Sequence, residues 1–573
     1  MQHLVDLLSQ HGTAMPDKTA FTFVTDGEEA AEVISFGALD HYARKIAANL
    51  QLQAAAGKSI LLLFQPGINY IASFLGCIYA GCIPVPAYPP RNNKHLERIS
   101  SIIADAEAAF IFCDNTIAAR IKQLKAGTEL IAPQIRILEM EDLQDIGDNW
   151  VKPDIQPGDI AFLQYTSGST AQPKGIIVTH ENLWYNEMVI RQAFVHDENT
   201  VVAGWLPLYH DMGLIGNVLQ PLYLGVPCVL ISPFHFVQQP LRWLKIISKY
   251  KATSSGAPSF GYQYCVDKIT DDQLTGIDLR SWSLAYNGSE PVNYETIRAF
   301  SQKFAACGFR EEAFYPCYGL AEATLMVTGG SKQEKVKVLH VEEESMREQT
   351  VRLQEAGGAT AKDIVSCGST WNDHEVKIVA VAESRTCGEL EVGEVWVAGN
   401  SVTRGYWRNP EQTREGFENY LESDGARYMR TGDLGFLYQG ELYITGRIKD
   451  LIIIRGRNYY PQDIENELES AHPALIKNGG VVFVSHRKPE QLVVVHEINH
   501  NYENLAVEAV GQAIISAVSA GTGLRVQDVV LVKRMSVPKT SSGKKQRIRC
   551  SAMYAQQELD ILYSSGNLKE ITL

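Results

Sequence analysis

The sequence predicts an α/β fold in which a large N-terminal body of α/β subdomains is followed by a small C-terminal α+β domain. First, the chain has 573 residues, too many for a single hydrophobic core. Second, apolar strand-like runs alternate with helix-like stretches, which is the pattern of parallel sheets with crossover helices. Third, the pattern beyond residue 449 changes to short strands with two helices. We therefore place the domain boundary between residues 1–448 and 449–573.

The elements of the body can be assigned from its apolar runs. Ser59 to Phe64 and Val201 to Leu206 are typical of buried strands, and Leu183 to Phe194 and Pro240 to Tyr250 are typical of helices. The stretch from Ser59 to Pro90 has no charged residue, but its prolines leave fewer helical residues than the ~20 that a bilayer needs. We predict a buried helix feeding a buried strand, and no stable membrane insertion.

Composition bounds the location and the partners. The formal net charge is −14 at pH 7 and no nucleic-acid recognition motif is present, so we expect no nucleic-acid partner. The ten cysteines form no CxxC pair and no zinc-ligand spacing, and the first twelve residues lack the basic and apolar regions of a signal peptide. These features predict a cytoplasmic protein with reduced thiols.

The segment from Tyr165 to Gly175, YTSGSTAQPKG, lies between two apolar runs and predicts a phosphate-binding loop between two strands. Hydroxyl and amide groups donate to phosphate oxygens, glycine permits tight turns, and Lys174 supplies positive charge. Pro173 before the lysine disfavours a Walker A loop. A plain solvated loop is the alternative on these residues alone. The remaining phosphate-contacting candidates are Thr166, Ser167, Gly168, Ser169 and Thr170.

Further motifs follow in a fixed order. Together with the phosphate loop they resemble the adenylate-forming superfamily of acyl-CoA synthetases, peptide-synthetase adenylation domains and luciferases. The resemblance covers roughly 380 residues and implies an enzyme that uses ATP and Mg²⁺ to join a carboxylate to AMP. The motifs are NGSEP (287–291), PCYGLAEAT (316–324), YMRTGD (428–433), GRIKD (446–450) and PKTSSGKKQR (538–547).

The resemblance also implies roles for individual residues. Lys544 and Lys174 neutralise charge on the reacting carboxylate and on the phosphates, and Lys449 is the hinge about which a mobile C-terminal lid rotates. His210, in LPLYHDMG, gates the acyl pocket, and we expect that segment to be a strand. Glu322 and Thr166 hold the Mg²⁺ ion. The nucleotide contacts are Gly288 and Ser289 beside adenine, Tyr318 and Gly319 against adenine, Asp433 on the ribose hydroxyls, and Arg447 near ribose or phosphate.

An added segment decides which group of the superfamily the chain resembles. Residues from Lys332 to Asp363 form an apparent strand-and-helix insertion that resembles the one in fatty acyl-AMP ligases. In that group the insertion restrains the lid, and a medium- or long-chain acyl-AMP passes to the phosphopantetheine of an acyl carrier protein. A fatty acyl-CoA ligase is the alternative, and a non-catalytic scaffold that binds nucleotide and acyl groups is a more remote one. The scaffold is disfavoured because Lys174, Glu322, Asp433 and Lys544 are all present.

The C-terminal segment is the comparatively basic part of the chain. Between Asp528 and Glu558 it has seven Lys and Arg residues and no acidic residue. Two interpretations are open: a solvated face around a catalytic loop, or a docking surface for a polyphosphate or an acidic partner such as a carrier protein. We expect that carrier to be a separate protein.

Overall fold

The computed structural model describes residues 3–90, 92–125, 131, 135–166, 173–332, 334–358, 361–383, 385–421, 425–454, 457–484, 492–499, 506–540 and 543–566. Its helices are α1 (Leu4–Ala14), α2 (Phe36–Leu52), α3 (Ile68–Tyr79), α4 (Asn93–Ala106), α5 (Asn115–Lys125), α6 (His180–Ala193), α7 (Asp211–Leu214), α8 (Gln220–Leu224), α9 (Pro233–Gln238), α10 (Leu241–Tyr250), α11 (Ser259–Lys268), α12 (Tyr294–Phe304), α13 (Glu343–Arg347), α14 (Pro410–Phe417), α15 (Pro461–Glu469), α16 (Val507–Thr522) and α17 (Arg547–Ala555).

The strands are β1 (Thr19–Val24), β2 (Ala31–Ser35), β3 (Ser59–Leu63), β4 (Ile83–Pro86), β5 (Phe110–Cys113), β6 (Arg136–Glu139), β7 (Ile160–Thr166), β8 (Lys174–Thr179), β9 (Val202–Gly204), β10 (Cys228–Ile231), β11 (Ser254–Ala257), β12 (Leu284–Asn287), β13 (Phe314–Gly319), β14 (Met326–Gly329), β15 (Val338–Glu342), β16 (Ala361–Val365), β17 (Ser369–Thr370), β18 (Glu375–Val379), β19 (Gly393–Ala398), β20 (Asn419–Tyr420), β21 (Arg427–Tyr438), β22 (Glu441–Arg447), β23 (Ile452–Ile454), β24 (Arg457–Tyr459), β25 (Leu475–Val484), β26 (Leu492–Ile498), β27 (Val526–Val532) and β28 (Ile561–Ser564).

Two largely parallel sheets form the centre of the body. In the described ranges, the larger sheet has the order β17-β14-β13-β12-β11-β9-β10-β1-β2, and its strands from β13 to β1 are parallel. The smaller sheet, β4-β3-β5-β6, is parallel throughout. The predicted α/β fold is confirmed. Ligands bind beyond the carboxyl ends of such strands, and β12 and β13 end at two of the predicted motifs.

The uncharged stretch folds as predicted. It contains β3, α3 and β4, and both strands belong to the smaller sheet. Nearly every residue of α3 is buried, because this apolar helix packs between the sheet and α2. In the described part of the chain, no helix combines the length and the hydropathy that crossing a membrane requires.

The expected strand over LPLYHDMG is wrong. β9 ends at Gly204, and the chain turns so that Asp211 begins α7, which runs through a π-helical turn at Ile215–Leu219 into α8. The turn is tight, since a Cβ atom on Gly213 would lie 2.1 Å from the carbonyl oxygen of Pro207. Apolar residues before and after the turn are buried in one core, and their burial gives the segment the appearance of a strand.

Residues after Lys449 build their own sheet and their own apolar clusters. The sheet has the order β25-β26-β27-β28, and α15 and α16 cover one face of it. The apolar side chains on that face form one cluster, and a second cluster on the other face includes residues of α17. We call residues 449–566 the lid. The placement of the domain boundary at Lys449 stays a prediction.

The insertion is a hairpin with a short helix. β15 and β16 pair along their full lengths, with Val338 opposite Val365, and α13 follows β15. A second strand therefore accompanies the expected strand and helix. Apolar residues of this hairpin pack against β21 and β22 and against Tyr460, the residue before α15 in the lid.

Candidate functional site

Asp433 is fixed between an aromatic hydroxyl and a guanidinium. Tyr318, at the end of β13, donates from its hydroxyl to Asp433 Oδ2 over 2.8 Å, and Arg447 Nε donates to Oδ1 over 2.8 Å. Asp433 and Arg447 are directly opposite each other in the β21–β22 hairpin, so strand register brings their side chains together. The Asp433 carboxylate raises the pKa of Arg447, while burial opposes this. Each carboxylate oxygen keeps a lone pair for a further donor.

Two glycines at the ends of β12 and β13 have no room for a side chain. A Cβ atom on Gly319 would lie 1.8 Å from the carbonyl oxygen of Leu325, and one on Gly288 would lie 2.8 Å from that of Cys317. Ser289 has φ +73°, a left-handed conformation that non-glycine residues rarely adopt. Strain of this kind concentrates at ligand-binding sites. The chain after β12 therefore lies directly against β13, and the turn after β13 closes tightly on Gly319.

Tyr406 connects two predicted site residues. Its hydroxyl donates to Glu322 Oε1 over 3.1 Å, and Lys174 Nζ lies 5.1 Å from the centre of its ring. The segment around Tyr406 pairs with β8 through an isolated bridge to Ile176, which fixes the ring beside Lys174. Burial raises the pKa of Glu322. Burial also lowers the pKa of Lys174, and Lys449 lowers it further. Tyr406 was not among the predicted site residues.

Lys544 of the lid is partly buried, and its neighbour Gly543 lies beside Phe260 of the body. Burial lowers the pKa of its ammonium group, as does Arg447, while Asp211, Glu290 and Asp433 act in the opposite direction. The structure thus brings the last predicted motif to the same place as the middle ones. Lys544 faces a site built by the body, with three carboxylates and one guanidinium near enough to act on its charge.

Glu290 and Phe260 form the wall next to Lys544. Glu290 Oε1 accepts the backbone N–H of Phe260 over 2.7 Å at the start of α11, and burial raises the pKa of Glu290. The Phe260 ring lies close to Gly543, since a Cβ atom there would be 3.4 Å from it. Neither residue was predicted as part of the catalytic site, because its function depends on contact with a lid far along the chain.

His210 also belongs to this region. Burial lowers the pKa of its imidazole to about 4, Asp211 opposes the shift, and Lys544 and Arg98 add to it. The imidazole is therefore neutral at physiological pH. Its position before α7 and its proximity to Lys544 agree with a place at the mouth of the site, but the gating role stays a prediction.

Part of the phosphate loop cannot be placed. Ser167, Gly168, Ser169 and Thr170 lie outside the described residues, and only the backbone of Thr166 is described. The flanking strands β7 and β8 pair antiparallel, with Thr166 opposite Lys174, so the predicted strand–loop–strand arrangement of the flanks is confirmed.

The side chains at this site fit a nucleoside triphosphate and a divalent cation. Asp433 offers carboxylate lone pairs for a diol, and Lys174, Arg447 and Lys544 offer positive charge for phosphate oxygens. Glu322 is a partly buried carboxylate whose Oε1 accepts a hydrogen bond from the Tyr406 hydroxyl. Mg²⁺ is usually held by one or two carboxylates together with phosphates, and the described residues include no cluster of three or more His, Cys, Asp or Glu that would hold a metal alone.

Two family models match the chain on either side of residues 408–448. Residues 8–407 match the family described as AMP-binding enzyme. Residues 449–564 match a second family, described as Disco-interacting protein 2-like, AMP domain.

Individual relatives are similar over nearly the full chain. The medium-chain-fatty-acid–[acyl-carrier-protein] ligase JamA of Moorena producens is 40% identical, covering 97% of this chain and 96% of its own. The ligase TtuA of Teredinibacter turnerae, which carries the same description, is 35% identical, covering 94% and 91%. The crystal structure of fatty acyl-adenylate ligase from Legionella pneumophila with acyl adenylate and pyrophosphate is 41% identical, with a TM-score of 0.77 and coverage of 99% and 98%.

The close backbone contact at Gly319 generates a testable prediction. Gly319→Ala adds a methyl group where a carbonyl oxygen lies, and overpacking of this kind costs roughly 1–3 kcal/mol. We expect ATP affinity, measured by calorimetric titration, to fall about tenfold or more. Gly67→Ala is the control, because no atom lies within 4 Å of a Cβ there. Unchanged ATP affinity in Gly319→Ala would show that this strand end does not border the nucleotide.

Proposed function

The chain belongs to the AMP-binding enzyme family and, within it, to the fatty acyl-AMP ligases, and on that premise we propose how it acts. It activates a medium- or long-chain fatty acid with ATP and hands the acyl group to the phosphopantetheine thiol of an acyl carrier protein. The observation that carries this proposal is the position of Lys544: the loop that holds it packs against Phe260 of the body, and Asp433, Asp211 and Glu290 act on the charge of its ammonium group.

The first step is an in-line displacement at phosphorus. A carboxylate oxygen of the acid forms a bond to the α-phosphorus of ATP, and the bond from that phosphorus to the pyrophosphate oxygen breaks. The products are acyl-AMP and pyrophosphate. Both reactants are anionic, so the site must supply positive charge and fix the geometry of attack. Lys544 stabilises the charge on the carboxylate and α-phosphate, Lys174 binds the leaving phosphates, and Asp433 holds the ribose.

A divalent cation has a place in this scheme. Glu322, oriented by Tyr406, and the hydroxyl of Thr166 would hold Mg²⁺, which neutralises charge on phosphate oxygens when bound. Tyr406 also limits where Lys174 can lie, because the ammonium group packs over its ring.

The lid has to leave after the first step, because a thiol must reach the position that Lys544 occupies. We place the hinge at Lys449, in the short helical turn Ile448–Asp450 between β22 and β23. The proposed boundary between residues 1–448 and 449–573 follows from this hinge. Lys449 acts on the charge of Lys174 in the closed arrangement, so hinge and phosphate loop are close together when adenylation occurs.

Contacts between the insertion and the lid support a carrier-bound thiol as the acceptor instead of free CoA. Lys362 Nζ lies 2.6 Å from Asp463 Oδ1, and Arg457 Nη1 lies 2.9 Å from Glu344 Oε1. Tyr460 is buried among apolar residues of the insertion. These contacts connect β16 and α13 to the lid beyond the hinge, so rotation of the lid has to break them. A restrained lid limits access by a freely diffusing thiol.

The contacts of the basic C-terminal segment bear on whether it is a face around a catalytic loop or a docking surface. Lys545 and Arg547 pair with the buried Glu465, and Lys533 lies 3.3 Å from Asp560. Much of the positive charge is therefore used inside the lid, which favours the interpretation of a face around a catalytic loop. We also propose a cytoplasmic location, because all ten cysteines are free thiols.

Product analysis tests the function. We expect the purified protein with ATP, Mg²⁺, dodecanoate and CoA to yield dodecanoyl-AMP without dodecanoyl-CoA by mass spectrometry, and to load a phosphopantetheinylated carrier protein. Lys544→Ala should lower acyl-AMP formation roughly 10²- to 10³-fold with ATP binding nearly intact, because one electrostatic donor is lost. Abundant acyl-CoA would instead favour the fatty acyl-CoA ligase, and full activity of Lys544→Ala would contradict its role.

The insertion contacts predict a gain of a second product. Lys362→Glu places two carboxylates together at Asp463, so we expect the lid to rotate more freely and acyl-CoA to accumulate. Lys335→Glu, an exposed charge reversal within the same insertion, is the matched control. The proposal fails if both variants form acyl-CoA equally, or if neither forms any.

The neutral state of His210 can be tested by pH. With a pKa of about 4, lowered by burial, the imidazole loses its proton well below neutrality and does not titrate between about pH 5.5 and 7.5. We expect the pH profile of acyl-AMP formation in that range to have the same shape in the parent protein and in His210→Asn. An inflection near the ordinary histidine pKa in the parent protein, absent from the variant, would contradict this assignment.

A further inference from the structure

The loop that carries Lys544 is anchored by a buried glutamate on α15. Glu465 is 2% exposed and accepts three hydrogen bonds from two cations: Lys545 Nζ at 2.9 Å, Arg547 Nε at 2.9 Å and Arg547 Nη2 at 2.7 Å. The backbone N–H of Val482 in β25 donates to the same carboxylate over 3.1 Å. Lys545 and Arg547, the two cations that follow Lys544 in the sequence, are thus bound to Glu465 on helix α15. Glu465 is in turn bound to strand β25 of the lid core.

The other end of the loop is held in the same manner. The buried Glu497 in β26 accepts the backbone N–H of Val537 over 2.9 Å. Between the two anchors, the loop closes on itself: Thr540 Oγ1 accepts the N–H of Lys544 over 3.0 Å, and the N–H of Thr540 donates to the carbonyl oxygen of Lys544 over 2.7 Å. The backbone of Lys544 therefore has little freedom once Glu465 and Glu497 are in place.

The Glu465 network also reaches the hinge. Arg547 Nη1 donates to Asp450 Oδ2 over 3.2 Å, and Asp450 is the residue directly after Lys449. The guanidinium thus joins α15 to the turn about which the lid is proposed to rotate. A planar guanidinium with both edges occupied is a rigid connection, which a lysine ammonium could not reproduce.

Lys545 and Arg547 compensate the negative charge of the buried Glu465 carboxylate. Burial would by itself raise the pKa of Glu465, yet Lys545 and Arg547 outweigh it, and the pKa is lowered. The carboxylate is therefore ionised at neutral pH. Apolar residues on both faces of the sheet supply the lid with its core without this cluster. In some proteins, buried ion pairs fix one arrangement of the chain more than they add to its stability. The pairs that Glu465 makes with Lys545 and Arg547 are suited to that role.

We propose that Glu465 is a positioning residue for adenylation, which fixes Lys544 in the closed site by binding Lys545 and Arg547 and which couples that loop to the hinge through the Arg547–Asp450 pair. This inference rests on the proposed function, since it assigns Lys544 the catalytic charge. Glu465 touches neither substrate; it acts through the loop.

The test separates the two half-reactions. Glu465→Gln keeps the shape but removes the charge, so we expect kcat for acyl-AMP formation to fall roughly 10- to 100-fold, with the KM values for ATP and dodecanoate within about threefold of the parent. Transfer from supplied dodecanoyl-AMP to a carrier thiol does not use Lys544 and should be retained. The control is Glu469→Gln, the same change on the same helix, where the carboxylate accepts the N–H of Asn478 at 2.6 Å.

Two further variants keep the outcome decisive. Asp450→Asn leaves the Glu465 pairs in place and should lower only kcat of adenylation, about three- to tenfold, and Arg547→Lys should do the same by losing the fork geometry. Normal adenylation in Glu465→Gln and Asp450→Asn, with Lys544→Ala inactive, would overturn the inference and leave the proposed function standing. Equal loss of both half-reactions in Glu465→Gln, Asp450→Asn and Arg547→Lys would also overturn the inference, because it would show that the network serves only the folding of the lid. Normal adenylation in Lys544→Ala would defeat the proposed function itself.

Discussion

The structure depends on bringing one positive charge from the lid into a site that the body builds. Lys544 lies far along the chain from Asp433, Glu290 and Asp211, yet these carboxylates act on its ammonium group. Burial disfavours the charged form of Lys544, and the three carboxylates favour it. The ammonium group is therefore suited to bind an anionic substrate. The lid sheet and the contact of Gly543 with Phe260 hold the loop of Lys544 in this position.

The carboxylate of Asp433, which acts on the ammonium group of Lys544, is itself held in one position by the body. Strand register sets it opposite Arg447, and Tyr318 approaches from the neighbouring sheet, so three separate strands converge on a single side chain. Such convergence removes the freedom that a lone aspartate would have. A preorganised site of this kind avoids paying for reorientation of its groups during the reaction.

The α/β fold could be predicted from the sequence, because apolar alternation is a local signal, and the ordered motifs pointed to residues such as Tyr318, Asp433 and Arg447 that the structure brings together. The strand over LPLYHDMG was predicted wrongly, since burial on both sides of a tight turn imitates a strand. Tyr406 and Glu465 were missed for a different reason. Tyr406 acquires its role by pairing with β8, and Glu465 by meeting cations some 80 positions later, and neither contact leaves a trace in the local sequence.

α15 carries two duties within nine residues. Its first turn holds Asp463, which binds Lys362 of the insertion, and two residues later Glu465 binds Lys545, the residue after Lys544. A shift of this helix therefore changes both contacts at once. The insertion and the loop of Lys544 are distant in the sequence, but both are bound to the same helix. We therefore expect substitutions in the two segments to have non-additive effects.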